Sequence, residues 1–106
     1  MASLARVLED LWAVIEARKR EPSADSWTSR LIADPTLAAK KLGEEAVETA
    51  LAAVRGDKAA VAAESADLIY HWLALLAAVG VSPEAVAAEL SARAGRSGLE
   101  EKASRP

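Results

Sequence analysis

Acidic side chains recur at intervals of three residues in two places near the middle of the chain. Glu45 and Glu48 form one pair, and Glu64 and Asp67 form the other. Residues three apart lie on the same face of an α-helix, about one turn from each other. Each pair therefore predicts two carboxylates that point in one direction. Because carboxylate oxygens are the protein ligands that hard cations such as Mg2+ and Mn2+ prefer, the pattern predicts a divalent-cation site.

The residues between the two pairs predict an antiparallel helix hairpin. Gly56 suits the left-handed conformation that ends a helix, and Asp57 can cap the next helix by accepting backbone N–H groups. Asp34 followed by a proline is a strong signal for the start of the first helix. Helices are therefore predicted at residues 34–55 and 58–79, joined by a tight turn.

Counting from this turn predicts that the two acidic pairs face each other. Glu48 lies eight residues before Gly56 and Glu64 lies eight after it, while Glu45 and Asp67 are each eleven residues away. Four facing carboxylates repel one another, so they are expected either to share protons or to bind cations. The alternative is a solvated acidic face. That alternative fits the first helix better than the second, which is apolar nearly all round and is predicted to be buried on most sides.

The rest of the chain predicts two further helices and two irregular segments. An apolar stripe predicts a helix at residues 3–19, and a serine-proline signal predicts another at residues 82–93. Residues 20–33 lack sustained periodicity and are predicted to form a loop with one short turn. The predicted fold class is therefore all-α, a domain of four to five helices at residues 1–94 that is followed by a basic tail at residues 95–106.

The composition limits the classes of protein to be considered. Hydrophobic residues make up 52% of the 106 residues but aromatic residues only 4%, which favours helices over strands. A net charge of −3 argues against nucleic acid as a partner, because nucleic-acid binding depends on a basic surface. The chain has no cysteine, and its apolar runs are shorter than a membrane span. A cytoplasmic protein without membrane contact is therefore expected.

Several segments resemble one enzyme family. The acidic pattern of the hairpin, Glu-Glu-x-x-Glu and then Glu-x-x-Asp, resembles the signature of the all-α nucleotide pyrophosphatases of the MazG-like superfamily. Within it, residues 26–31 (SWTSRL), 40–45 (KKLGEE) and 64–71 (ESADLIYH) are similar to the phosphoribosyl-ATP pyrophosphatase family, and so is the tail at residues 95–105. The tail is the most discriminating segment, because relatives with broader nucleotide specificity are not expected to share it.

The resemblance implies a reaction, a cofactor and a set of site residues. The expected reaction is the hydrolysis of phosphoribosyl-ATP in histidine biosynthesis by a Mg2+-dependent homodimer, with Mn2+ as the alternative cation. The implied metal ligands are Glu45, Glu48, Glu64 and Asp67, with Glu44 as an auxiliary catalytic acid. Trp27 and Arg30 are candidates for substrate contact, and the basic residues implied for phosphate contact are Lys40, Lys41, Arg96, Lys102 and Arg105. The tail that carries the last three is expected to stay flexible until substrate binds.

Other interpretations of these residues stay open. Lys40 and Lys41 lie three or four residues from acidic side chains and can pair with them instead of with phosphates. His71 follows Asp67 by four residues, but it is interpreted as structural and is left out of the metal set. Trp27 stands where the family more often has tyrosine, which retains stacking but not a phenol hydrogen bond. The alternative functions are a pyrophosphatase acting broadly on nucleoside triphosphates and a non-catalytic helical interaction module.

Overall fold

Five α-helices dominate the computed structural model, which describes residues 2–94 and Lys102. The helices are α1 (Leu4–Arg20), α2 (Trp27–Ala33), α3 (Pro35–Val54), α4 (Lys58–Val79) and α5 (Pro83–Arg93). No strand occurs among the described residues, and the predicted all-α class is confirmed. Within the same residues, no single helix is long and apolar enough to cross a membrane. The pair α4 and α5 has that length and composition only when taken together, and it is bent by 110°.

Each helix begins at a side chain that accepts a backbone N–H group from the first turn. The capping residues are Ser3, Ser26, Asp34, Asp57 and Ser82, and each accepts from the residue three positions further along. A proline follows the cap in α3 and α5, where the first helical position needs no N–H donor. A cap of this kind contributes about 1 kcal/mol. The predicted starts of α3, α4 and α5 are therefore confirmed.

The prediction of a loop at residues 20–33 is wrong in its second half. α1 extends one residue into this segment, and Trp27–Ala33 forms α2, a helix of seven residues. Seven residues are too few to display an apolar period, which is why the sequence did not reveal this helix. Contacts with other helices stabilise it, because Leu31 is buried with Ala38 of α3 and Ala74 of α4.

The hydrophobic core lies toward the C-terminal end of α4, away from the turn of the hairpin. Ile15 of α1 is buried together with Leu73 and Leu76 of α4, and Trp12 and Trp72 pack half-buried against them. α3 packs against α4 more extensively than any other pair of described helices does. Both core clusters therefore lie at the end of the hairpin opposite Gly56, and Ala52 of α3 is the fully buried residue nearest the turn among the described residues.

The expectation that α4 is buried on most sides holds only for its second half. Every buried residue of α4 lies between His71 and Ala77. In the first half, Ala59, Ala62 and Ala63 are exposed although they are apolar. The two core clusters include α4 side chains only from its second half, so neither cluster extends to the end of α4 near the turn.

The turn between α3 and α4 gives a matched pair of glycine variants. Gly56 has a φ of +74°, which L side chains rarely adopt, so we expect Gly56→Ala to lower the free energy of unfolding by about 1 kcal/mol. Gly43 lies inside α3 with no atom within 4 Å of an added methyl group. Gly43→Ala should therefore raise the free energy of unfolding by about 0.5–1 kcal/mol. Urea unfolding measures both, and changes of the same sign would contradict the left-handed turn.

Candidate active site

The hairpin brings three of the predicted acidic side chains into one group. Glu45 and Glu48 of α3 and Glu64 of α4 each offer a carboxylate oxygen, and these oxygens all lie within 4.8 Å of one another. The short distance between the Glu48 and Glu64 oxygens agrees with the prediction that these residues lie at the same height on either side of Gly56. We call these three side chains the carboxylate group.

Asp67, the fourth predicted ligand, lies outside the carboxylate group but still acts on it. Its side chain is exposed, and it is not among the oxygens gathered within 4.8 Å. Burial is the main cause that raises the pKa of Glu45, and the negative charges of Glu48 and Asp67 add to this rise. Asp67 is therefore close enough to Glu45 for their charges to interact, one helical turn from Glu64.

Two oxygens of the carboxylate group are buried without a hydrogen-bond partner. They are Glu45 Oε2 and Glu64 Oε2, which meet no donor among the described residues. A buried polar atom that is left unpaired costs about 1–3 kcal/mol. Such an arrangement is expected at a site that binds a ligand, and it is not expected on a solvated face.

Crowding also raises the pKa of Glu64 to about 7. The largest cause is its hydrogen bond with the Glu48 carboxyl group, followed by burial and then by its interactions with Glu45. Two carboxylates that share a site cannot both ionise without strong repulsion. Glu64 is therefore expected to keep its proton to a higher pH than an ordinary glutamate does, unless a cation takes the place of the proton.

The donor set fits a hard divalent cation. It consists only of carboxylate oxygens, which suit Mg2+ and Mn2+ and do not suit a soft metal. The unpartnered Glu45 Oε2 and Glu64 Oε2 are acceptors that a cation would satisfy. A cation would also remove the repulsion that holds the proton on Glu64.

Three of the predicted substrate-contact residues meet beside the carboxylate group. Trp27 of α2 is 37% exposed, with the guanidinium carbon of Arg30 5.3 Å and the Nζ of Lys41 5.9 Å from its ring centre. Lys41 also forms an ion pair of 3.2 Å with Glu44. Since Lys41 precedes Glu45 by four residues, this aromatic and cationic surface lies about one helical turn from the carboxylates.

The other predicted site residues are less closely involved. Glu44 is exposed on α3 and reaches this arrangement only through its ion pair with Lys41, and Lys40 is exposed on the same helix. Lys102 is exposed as well, and Arg96 and Arg105 lie outside the described residues. Contact with phosphates for the four basic residues and a catalytic role for Glu44 stay predictions.

His71 has contacts that the sequence alone did not reveal. It is only 8% exposed, with Nδ1 2.8 Å from the carbonyl oxygen of Asp67 and Nε2 3.4 Å from the indole nitrogen of Trp27. Both ring nitrogens are therefore engaged by protein groups, which supports the structural interpretation of His71. Its spacing from Asp67 gave a signal for the first contact, but Trp27 lies 44 residues away and gave none.

The fold and the site together define a class of protein. The chain is all-α, and its helix hairpin gathers three carboxylates, two of which have a buried oxygen without a hydrogen-bond partner. The side chains of Trp27, Arg30 and Lys41 lie beside them. This combination suits the binding of a divalent metal ion together with a phosphorylated ligand. The model of the phosphoribosyl-ATP pyrophosphohydrolase family matches residues 8–94, which include the whole hairpin. This chain belongs to that family.

Curated relatives named phosphoribosyl-ATP pyrophosphatase match the chain over nearly its whole length. A relative from Caulobacter vibrioides (strain NA1000 / CB15N) is 63% identical over 102 residues, which cover 96% of this chain and 95% of the relative. One from Caulobacter sp. (strain K31) is 59% identical over 106 residues, which cover 100% of this chain and 99% of the relative. One from Parvibaculum lavamentivorans is 55% identical over 106 residues, which cover 99% of this chain and 97% of the relative. The resemblance that the sequence motifs indicate is confirmed.

The raised pKa of Glu64 predicts how stability depends on pH without metal. Between its ordinary pKa of 4.5 and its folded pKa of about 7, Glu64 binds more protons in the folded protein than in the unfolded chain. The free energy of unfolding should therefore fall as pH rises through this window. Glu64→Gln cannot titrate and should show a smaller fall. Urea unfolding in EDTA at several pH values measures both, and parallel pH profiles would contradict the raised pKa.

Proposed function

We propose that this chain hydrolyses phosphoribosyl-ATP to phosphoribosyl-AMP and pyrophosphate in histidine biosynthesis. The observation that carries the proposal is the carboxylate group, with Glu45 Oε2 and Glu64 Oε2 unpartnered, inside the segment that matches the family model. The names of the relatives favour this substrate over nucleoside triphosphates at large. The unpartnered oxygens favour a ligand-binding site over a solvated interaction surface.

Mg2+ is the cofactor that we assign to this site, with Mn2+ as the alternative. Glu45, Glu48, Glu64 and Asp67 are the residues that would hold it. When bound, a divalent cation supplies positive charge opposite the substrate phosphates and lowers the pKa of the water used as nucleophile. The carboxylates alone would repel a polyphosphate, so cation binding and substrate binding are expected to strengthen each other.

The chain's own residues must place a water molecule against the α-phosphorus of the substrate. The water oxygen forms the new bond to this phosphorus, the bond to the oxygen that bridges to the β-phosphorus breaks, and pyrophosphate leaves. A carboxylate must accept the proton that the water releases. Glu44 is exposed next to the carboxylate group, and we assign it the auxiliary role of orienting this water or accepting its proton.

The aromatic and cationic surface on α2 and α3 is where we place the rest of the substrate. Arg30 and Lys41 offer positive charge to the phosphates, and the exposed part of the Trp27 ring offers a surface for stacking. Their location about one turn from the carboxylates supports this assignment. The other basic residues that we assign to phosphate contact are Lys40, Arg96, Lys102 and Arg105.

A homodimer is a further part of the proposal. α3 exposes Val47, Leu51 and Val54, which are 59%, 52% and 85% exposed and follow one another at helical spacing. They lie in the half of the hairpin that carries the carboxylate group. Large apolar side chains exposed together on one helix face are typical of an interaction surface. A second copy of the chain would bury them in a larger helical bundle.

The setting of the protein completes the proposal. We assign it to the cytoplasm, without membrane or nucleic-acid partners. The net charge of −3 supports the assignment against nucleic acid.

Removing one proposed ligand tests the site directly. We expect Glu48→Gln to lower kcat/KM for phosphoribosyl-ATP by on the order of 100-fold, because the cation loses a charged ligand. Asp67→Asn should cause a smaller loss, since its carboxylate lies outside the group within 4.8 Å. Pyrophosphate release measures the rate, and calorimetry with Mg2+ and Mn2+ measures cation binding in the same variants.

The matched control is Glu9→Gln, which removes one exposed carboxylate from α1 and should leave rate and cation binding unchanged. Full activity in both Glu48→Gln and Asp67→Asn would rule out the carboxylate site. Comparable rates on phosphoribosyl-ATP and ordinary deoxynucleoside triphosphates would instead leave the site in place and overturn the proposed substrate.

A charge on the exposed face of α3 tests the homodimer. Leu51→Glu should convert a dimer into monomers in sedimentation experiments, because an unpaired carboxylate would be buried at the interface. The matched variant Leu90→Glu changes a 65% exposed leucine of α5 and should leave the dimer intact. A wild-type monomer, or a dimer lost only in Leu90→Glu, would contradict an interface at α3.

A further inference from the structure

Trp27 is held in place by a chain of two hydrogen bonds that ends on α4. The indole N–H of Trp27 points to Nε2 of His71 at 3.4 Å, and Nδ1 of His71 lies 2.8 Å from the carbonyl oxygen of Asp67. A carbonyl oxygen only accepts, so the ring hydrogen of His71 lies on Nδ1 and Nε2 is the acceptor for the indole. The Trp27 side chain is thereby fixed to the helical turn that begins at Asp67.

This contact lies one turn beyond Glu45 on α3 and one turn beyond Asp67 on α4. Lys41 is fifteen residues before Gly56 and His71 is fifteen after it. Equal distance from the turn places Lys41 and His71 at the same height, with Trp27 in contact with both. Trp27 therefore bridges α3 and α4 next to the site.

The indole needs such an anchor because much of it is not packed. Trp27 is 37% exposed, and it lies at the first position of α2, where the helix itself constrains it least. Its ring also bears the two cations, Arg30 at 5.3 Å and Lys41 at 5.9 Å from the ring centre. A rotation of the indole would change the surroundings of both charges at once.

We propose that His71 is a positioning residue for substrate binding. By accepting the indole N–H, His71 fixes the orientation of Trp27 and, through the ring, the placement of Arg30 and Lys41 toward the phosphates of the substrate. His71 itself contacts neither substrate nor cation. This inference rests on the proposed function, since it assigns His71 a part in binding the same substrate.

Three variants separate the two hydrogen bonds of His71. His71→Asn keeps an amide N–H for the Asp67 carbonyl but removes the acceptor for the indole, whereas His71→Gln places an amide oxygen near the former Nε2. Trp27→Phe removes the indole donor and keeps an aromatic ring. We expect KM for phosphoribosyl-ATP to rise about five- to tenfold in His71→Asn, with kcat within about twofold. His71→Gln should recover part of the loss.

A double variant tests whether the two residues act as one unit. Trp27→Phe with His71→Asn should raise KM no further than the more affected single variant does, because both remove the same hydrogen bond. The indole N–H signals of the three tryptophans, Trp12, Trp27 and Trp72, give a readout that is independent of activity. The signal missing in Trp27→Phe identifies Trp27, and this signal should shift most in His71→Asn.

The matched control removes a different hydrogen bond between α2 and α4. The hydroxyl groups of Thr28 and Tyr70 form a hydrogen bond. Thr28 follows Trp27 directly on α2, and Tyr70 directly precedes His71 on α4. Tyr70→Phe should lower the melting temperature but leave KM within about twofold, because Trp27 keeps its anchor.

Four outcomes would overturn the inference. Three of them concern KM: an unchanged KM in His71→Asn, an equal rise of KM in Tyr70→Phe, and additive effects in the double variant. The fourth is an unmoved Trp27 signal in His71→Asn. Absence of hydrolysis by the wild-type protein would be a different result: it would refute the proposed function, while the indole signal would still report whether His71 fixes Trp27.

Discussion

The mutual repulsion of carboxylates between α3 and α4 is the constraint on which the rest of the structure depends. Glu45, Glu48 and Glu64 lie closer together than free carboxylates would, and two of their oxygens are buried without a donor. Burial is the main cause that raises the pKa of Glu45, and the hydrogen bond with Glu48 is the main cause that raises the pKa of Glu64, while the charges of neighbouring carboxylates add to both rises. The hydrophobic core at the other end of the hairpin, where Leu73 and Leu76 are buried with Ile15 of α1, supplies the stability that offsets the cost of bringing these carboxylates together.

The basic side chains of Arg30 and Lys41 lie close to the carboxylate group, but neither forms an ion pair with Glu45, Glu48 or Glu64 among the described residues. Lys41 pairs with Glu44, and it also shares the ring of Trp27 with Arg30. Arg30 and Lys41 are thus held near the carboxylate group by Trp27 and Glu44, not by ion pairs with the group itself. Such an arrangement suits the proposed roles, in which the buried carboxylate oxygens bind a cation and the basic side chains contact the phosphates during hydrolysis of a phosphoanhydride bond.

Local signals predicted much of this arrangement, and long-range contacts account for what they missed. Gly56 and its flanking caps predicted the hairpin, and counting from Gly56 placed Glu48 opposite Glu64. α2 was missed because seven residues cannot show a period, and its stability comes from Leu31 packing on other helices. Counting also could not show that Asp67 stays exposed outside the carboxylate group, or that Ala59, Ala62 and Ala63 are exposed near the turn. Those outcomes depend on how all five helices pack.

Anomalous diffraction from crystals grown with Mn2+ tests most directly whether the carboxylate group is a divalent-cation site. We expect an anomalous peak between α3 and α4, in contact with carboxylate oxygens of Glu45, Glu48 and Glu64, and no such peak in crystals of Glu48→Gln. A wild-type map with no peak at these oxygens, or with Mn2+ bound only elsewhere on the chain, would contradict this expectation.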